Sequence, residues 1–151
     1  MKKSKNAFTM IELVFVIVVL GILSAIAIPR FAATRADAQI SKAKADIASV
    51  RSAIINERQS RLFRGQSQFI SRLDNGVGNG AGVVIFDTNG SGALLQYGIT
   101  TKAGDGGWLK TNATTYTFTV QGVGTAFVYN AANGRFDCTV AAGNKCATLT
   151  R

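Results

Sequence analysis

The sequence predicts an α+β protein in which a long N-terminal α-helix packs, through its second half, on a C-terminal antiparallel β-sheet. Three features support this prediction. Residues 8–28 are almost wholly apolar. Apolar residues between positions 40 and 54 recur at steps of three and four, which is the spacing of one helix face. From residue 65 the chain is rich in Gly, Thr, Asn and aromatic residues, and it lacks a helical period.

The apolar segment from Phe8 to Ile28 has the length of a single membrane crossing. It contains 21 residues, and about 20 apolar residues span a bilayer as a helix. Three lysines precede it (Lys2, Lys3 and Lys5), whereas the large polar region follows it. The positive-inside rule therefore predicts that the N-terminus stays in the cytoplasm and that the chain after Pro29 is exported.

Glu12 is the one carboxylate inside this apolar segment. A carboxylate near the bilayer centre costs about 2.5–3.5 kcal/mol on insertion scales. Such a residue is tolerated when another group neutralises it. The sequence thus indicates that Glu12 has a specific partner.

An ordinary secretory signal is the simplest alternative for this segment. It has a basic start, an apolar stretch and Ala25-Ile26-Ala27, which is similar to a small-residue cleavage site. Two features disfavour it: cleavage after Ala27 would leave Pro29 as the second residue of the product, and a signal sequence has no use for Glu12.

The stretch KNA-FTMIEL, residues 5–13, resembles the cleavage motif of type IV pilins and pseudopilins. The resemblance covers about the first 50 residues. It implies that prepilin peptidase removes a leader from Met1 to Ala7, and that the new N-terminal residue, Phe8, is N-methylated. Ala7 stands where the family usually has Gly. Gly21 and Pro29 also match family positions.

The resemblance further implies that Glu12 of an arriving subunit pairs with the Phe8 amine of a neighbour in a helical homo-oligomeric filament. Its implied partners are prepilin peptidase, an inner-membrane assembly platform with its ATPase, and membrane lipid before assembly. The predicted location is the inner membrane first and a cell-surface filament afterwards. In a pseudopilin of a type II secretion or DNA-uptake system, the alternative, the filament is periplasmic. Adhesion and twitching motility are the roles that a pilus implies, and protein secretion is the role of a pseudopilin.

These considerations divide the chain into four predicted segments. They are a leader (1–7), a transmembrane and assembly helix (8–29), an amphipathic second half of the helix (30–64) and a β-sheet domain (65–151). The helix is expected from Phe8 to about Arg61, with a kink near Pro29, because proline cannot donate to the carbonyl of Ala25. The apolar positions of its second half should pack on the sheet; they are Ile40, Ala43, Ile47, Val50 and Ile54.

Strands are predicted in the C-terminal region from alternating patterns and turn residues. The predicted strands are 83–86, 93–100, 114–120, 125–130 and 135–140. Asn133-Gly134 is typical of a two-residue hairpin turn. That turn predicts a register in which Ala131 pairs with Phe136, Tyr129 with Cys138, and Phe127 with Val140, all six on one apolar face.

The two cysteines, Cys138 and Cys146, are predicted to form a disulfide in the exported domain. A metal or redox pair is the alternative, but the spacing is not C-x-x-C and the chain has no histidine. Pilins commonly carry a similar C-terminal disulfide loop. Major pseudopilins more often use calcium there, and residues 87–91 have oxygen-bearing side chains at alternate positions. They lack the rest of a calcium loop, so a turn is favoured; no metal or other cofactor is predicted.

The composition makes an enzyme an unfavourable interpretation, because 151 residues include no histidine and only 8 acidic residues against 17 basic ones. A membrane-anchored nucleic-acid-binding module is a further alternative. It would use the basic residues Arg51, Arg58, Arg61, Arg64 and Arg72 for phosphates, with Trp108 as a surface for base stacking. A solvated helix face with filament salt bridges explains these arginines more simply.

Overall fold

The computed structural model describes residues 8–87 and 94–151. Their secondary structure, in chain order, is α1 (Met10–Phe63), β1 (Val84–Ile85), β2 (Ile99–Thr100), β3 (Trp108–Lys110), β4 (Thr115–Val120), β5 (Val123–Asn130), β6 (Arg135–Asp137) and α2 (Cys146–Thr150). A long N-terminal helix followed by an antiparallel sheet confirms the predicted α+β class.

The chain divides into two compact units, Met1–Asp37 and Ala38–Arg151. Helix α1 contributes its first part to one unit and its second part to the other. It runs through Pro29 without interruption and ends two residues beyond the predicted Arg61. The segment boundaries that the sequence suggested at residues 7, 29 and 64 remain predictions.

The second part of α1 forms its predicted apolar stripe. Ala43, Ile47, Val50 and Ile54 are buried, and Ile40 is half-buried against the same core. These residues lie at steps of three and four, so they share one face of the helix. The stripe is therefore the helical side of the hydrophobic core of the second unit, as predicted.

A sheet with the strand order β3-β4-β5-β6 provides the other side of this core. Each neighbouring pair is antiparallel. In β4, Tyr116, Phe118 and Val120 are buried while the threonines between them are half-exposed, which confirms the alternation read from the sequence. Gln121 and Gly122 both have positive φ, at 51° and 73°, as a two-residue turn between right-twisted strands requires.

The predicted register of the β5–β6 hairpin is wrong by two residues. Tyr129 pairs with Phe136, and Asn130 pairs with Arg135, so four residues form the turn instead of two. The Asn130 carbonyl accepts from the Gly134 N–H at 2.8 Å, and its side-chain oxygen accepts from the Ala132 N–H at 2.9 Å. These bonds favour the longer turn. A two-residue slip preserves the faces, so Phe127, Tyr129 and Phe136 are buried as expected.

Several predicted strands are longer than the strands in the structure, and two short elements were not predicted. β6 ends at Asp137, so Val140 is not in the strand and is 67% exposed. The segment predicted at 83–86 forms a strand only at Val84–Ile85, and within 94–100 only Ile99–Thr100 do so. Residue 93 lies outside the described residues. Strand β3 and helix α2 were not predicted, since neither segment is longer than five residues.

Candidate assembly site

Glu12 takes part in a capping box at the first turn of α1. The Thr9 backbone N–H and hydroxyl donate to its Oε2 atom at 2.9 and 2.8 Å, and the Glu12 N–H donates back to the Thr9 hydroxyl at 3.3 Å. Reciprocal bonds of this kind satisfy backbone donors that the helix leaves free at its start. Glu12 therefore has a partner within its own chain, a role that the sequence interpretation missed although Thr-x-x-Glu is its signal.

The side chains that follow Glu12 cover the helix surface with apolar groups. Phe8 is 82% exposed, Phe31 is 70% exposed, and nearly every side chain between them is exposed. Among the described residues, α1 is the helix long and apolar enough to cross a membrane by length and composition. Soluble monomers rarely expose so extensive an apolar surface, so this part of the helix requires lipid or other protein around it.

Gly21 and Pro29 lie on this exposed part of α1. Apart from the adjacent residues and the backbone of its own helix turn, a Cβ atom added at Gly21 would meet no atom within 4 Å. Nothing within the described subunit therefore requires a glycine at that position. The leader residues 1–7, including Ala7 at the predicted cleavage site, lie outside the described residues.

The second unit contains a buried polar cluster that the sequence interpretation did not identify. Asp74 and Lys110 are both buried, and the Lys110 ammonium lies 2.9 Å from the Asp74 carboxylate. The Tyr116 hydroxyl donates to Asp74 at 2.6 Å, and the Val77 carbonyl accepts from Lys110 at 2.6 Å. The cluster ties the loop after α1 to strands β3 and β4.

Burial shapes the acid–base behaviour of the tyrosines in this unit. Burial, together with the Asp74 carboxylate, raises the pKa of Tyr116 above its ordinary value. Burial raises the pKa of Tyr129 to about 12. Its hydroxyl donates to the Ile70 carbonyl at 2.8 Å. Both phenols thus stay protonated at neutral pH and act as hydrogen-bond donors that hold the segment after α1.

The arginines considered for nucleic-acid binding are largely engaged within the chain. Arg51 donates to the Phe136 carbonyl at 3.0 Å and to Asp137 at 3.1 Å. Arg61 and Arg64 lie 3.5 and 3.1 Å from the Glu57 carboxylate, which both share. The bonds of Arg51 join α1 to β6, and the ion pairs with Glu57 lie at the end of α1. These structural roles explain the basic residues most simply.

The nucleic-acid alternative also needs a surface on which bases can stack, and its other residues do not form one. Trp108 is fully buried, so it does not offer the stacking surface that the nucleic-acid alternative would need. Its indole N–H donates to Asp46 at 2.9 Å and so fastens β3 to α1. Arg58 lies over the Phe69 ring, 4.0 Å from the centroid, while Arg72 is exposed.

Cys138 and Cys146 are joined by a disulfide between the end of β6 and the start of α2. Within residues 8–87 and 94–151, no three side chains of the His, Cys, Asp or Glu type converge on one point. Of the oxygen-rich segment 87–91, only Asp87 is described, and its carboxylate accepts from the Asn75 amide at 3.1 Å. The rest of that segment lies outside the described residues.

Residues 2–28 match the family described as the prokaryotic N-terminal methylation motif. The match agrees with the resemblance to type IV pilins and pseudopilins, and the long helix followed by an antiparallel sheet fits a pilin-like fold. It covers the N-terminal segment of the 151-residue chain and does not extend to the sheet. No curated protein and no solved structure matches the chain.

Proposed function

We propose that this protein is a structural subunit of a type IV pilus-like filament. Its subunits assemble from the inner membrane through packing of their N-terminal helices, and Glu12 of one copy pairs with the Phe8 amine of another. The observation that carries the proposal is the exposed apolar helix with a single carboxylate near its start, in a chain that matches the N-terminal methylation motif.

The physical basis of the pairing is charge neutralisation among apolar helices. Cleavage before Phe8 would create an ammonium group four residues from Glu12, at the end of the helix where the Glu12 carboxylate lies. In a filament core made of such helices, a lone carboxylate costs free energy that an ammonium partner offsets. The Glu12 carboxylate of a monomer accepts hydrogen bonds from Thr9 but has no cationic partner, and assembly would provide that cation.

The cleavage and methylation motif is common to pilins and to pseudopilins of type II secretion or DNA-uptake systems. The second candidate is therefore a pseudopilin, which has the same membrane helix and processing but forms a short periplasmic filament. Shearing of intact cells distinguishes the two, because surface pili are released into the medium and a periplasmic filament is not.

Two substitutions of Glu12 separate the filament contact from the capping box. Glu12→Gln removes the charge. It keeps a side-chain oxygen that accepts from Thr9, because glutamine also serves in capping boxes. Glu12→Val removes both. If charge pairing drives assembly, both variants accumulate in the membrane as folded, cleaved protein and neither appears in filaments.

The amounts of membrane protein, processed protein and filaments are measured for each variant beside the wild type. Normal filaments from Glu12→Gln, together with none from Glu12→Val, would show that the cap is required and that the charge pair is not. Normal filaments from both variants would refute any assembly role for Glu12.

A further inference from the structure

Four asparagines of this chain are each followed by glycine, a dipeptide in which asparagine deamidates readily because glycine has no side chain to hinder the reaction. The four dipeptides are Asn75-Gly76, Asn79-Gly80, Asn89-Gly90 and Asn133-Gly134. Residue 89 lies outside the described residues, and the other three asparagines are exposed. Water reaches these three side chains, so burial does not protect them from deamidation.

Deamidation at such a dipeptide begins when the backbone nitrogen of the glycine attacks the side-chain carbonyl carbon of the asparagine. The new bond closes a succinimide ring, the bond to the side-chain nitrogen breaks, and ammonia leaves. Water then opens the ring to aspartate or isoaspartate. The attacking nitrogen must give up its proton, so an N–H group that donates a hydrogen bond is a poor nucleophile.

The N–H groups of Gly76 and Gly80 both donate hydrogen bonds in the loop that follows α1. The Gly76 N–H donates to Asp74 Oδ1 at 2.8 Å. A negative acceptor makes the loss of that proton still less favourable. The Gly80 N–H donates to the Lys110 carbonyl of β3 at 2.9 Å. Both nitrogens are therefore blocked while the loop keeps its contacts with Asp74 and with β3.

The turn between β5 and β6 blocks the third glycine in the same way. The Gly134 N–H donates to the Asn130 carbonyl at 2.8 Å. The side-chain oxygen of Asn133 accepts from the Arg135 N–H at 3.0 Å, so the carbonyl group that would be attacked is also held in the turn. Attack on Asn133 requires that the turn open.

We infer that Asn75, Asn79 and Asn133 are latent deamidation sites, which the folded chain keeps closed by binding the N–H group of the glycine after each of them. Each site reacts when its own segment opens. The product carries a new negative charge, and isoaspartate also adds a methylene group to the backbone, so the original turn cannot form again. Opening followed by deamidation is therefore irreversible. The inference does not depend on the proposed filament function.

The full chain is incubated at mildly alkaline pH in two states, folded in detergent and unfolded in guanidinium chloride. Peptide mapping by mass spectrometry follows the formation of aspartate and isoaspartate at each of the three sites. The folded chain should react at least about tenfold more slowly than the unfolded chain, because the rate follows the population of the open state. Equal rates in the two states would overturn the inference.

Asp74→Ala tests the hydrogen bond itself, because it removes the acceptor of Gly76 and leaves the backbone acceptors of the other two glycines in place. Circular dichroism establishes that the variant is folded, and the other two asparagines of the same molecule are the matched control. In the folded variant Asn75 should react about tenfold faster than in the wild type, while the other two sites stay slow. An unchanged rate at Asn75 would overturn the inference there. If the variant does not fold, all three sites react at the unfolded rate, and the comparison of the two wild-type states decides.

Discussion

At the scale of single residues, Glu12 shows what an isolated charge in a sequence reveals. Its presence among apolar residues predicted that it needs a partner, because an unpaired carboxylate is costly in an apolar environment. The same reasoning did not identify Thr9, which bonds to it within the subunit. The sequence thus shows that a partner is required, while the local backbone decides which one the monomer uses.

The buried pair of Asp74 and Lys110 is a second residue-scale feature, and it supports a prediction on stability. Lys110 is 4% exposed, and it is the cation nearest to the Asp74 carboxylate in the described structure. Lys110→Met keeps a long side chain but leaves that carboxylate without its cation. We expect a loss of about 3–5 kcal/mol in the free energy of unfolding, as for other broken buried pairs.

Denaturant unfolding of the full chain in detergent, followed by near-ultraviolet circular dichroism, measures this loss. Lys102→Met is the matched control, because Lys102 is exposed and forms no ion pair with another described residue. Its effect should stay within about 0.5 kcal/mol. Equal effects of the two substitutions would contradict a special role for the buried pair.

At the scale of elements, long periodic segments were predicted well and short ones poorly. The stripe on α1 repeats over fifteen residues, so its spacing alone identifies the buried face. Strand β3 contains only Trp108, Leu109 and Lys110, and its lysine is buried through a partner 36 positions away. No local pattern encodes such a contact, and this is why β3 and the Asp74 cluster could not be predicted.

The hairpin between β5 and β6 shows a different limit. Alternation predicted which side chains face the core, because a slip of two residues leaves the faces unchanged. It did not fix the register, since the turn depends on bonds from the Asn130 carbonyl and side chain. The two-residue and four-residue turns place the same side chains on the apolar face, so the hydrophobic pattern does not distinguish them. They differ in hydrogen bonds such as those of Asn130.

Two adjacent isoleucines of α1 test the prediction that the stripe anchors the helix. Ile54 is 1% exposed and Ile55 is 50% exposed. Ile54→Ala should lower the free energy of unfolding by about 2–5 kcal/mol, because it leaves a cavity in the core. Ile55→Ala, the matched control with identical chemistry, should cost far less. Equal losses in denaturant unfolding would show that the stripe does not anchor the helix.

At the scale of the whole molecule, the predicted processing changes the charge of the chain. The leader carries Lys2, Lys3 and Lys5, so its removal reduces the basic residues from 17 to 14, against 8 acidic ones. It also removes the cytoplasmic charges that orient the helix. A processed subunit would be held in the membrane by the apolar helix alone, which is compatible with the proposed transfer of the subunit from the membrane to a filament.

The residue before the predicted cut provides a test of this processing. Mass spectrometry of the mature protein should find a chain that begins at Phe8 and carries one methyl group on its amine. Ala7→Gly should be cleaved at least as well as the wild type, because glycine is the family's usual residue there. Ala7→Leu should leave precursor in the membrane, since a bulky side chain replaces a small one beside the scissile bond. A mature terminus at Ile28 would establish an ordinary secretory signal and refute the filament interpretation, because the apolar helix and Glu12 would both be lost.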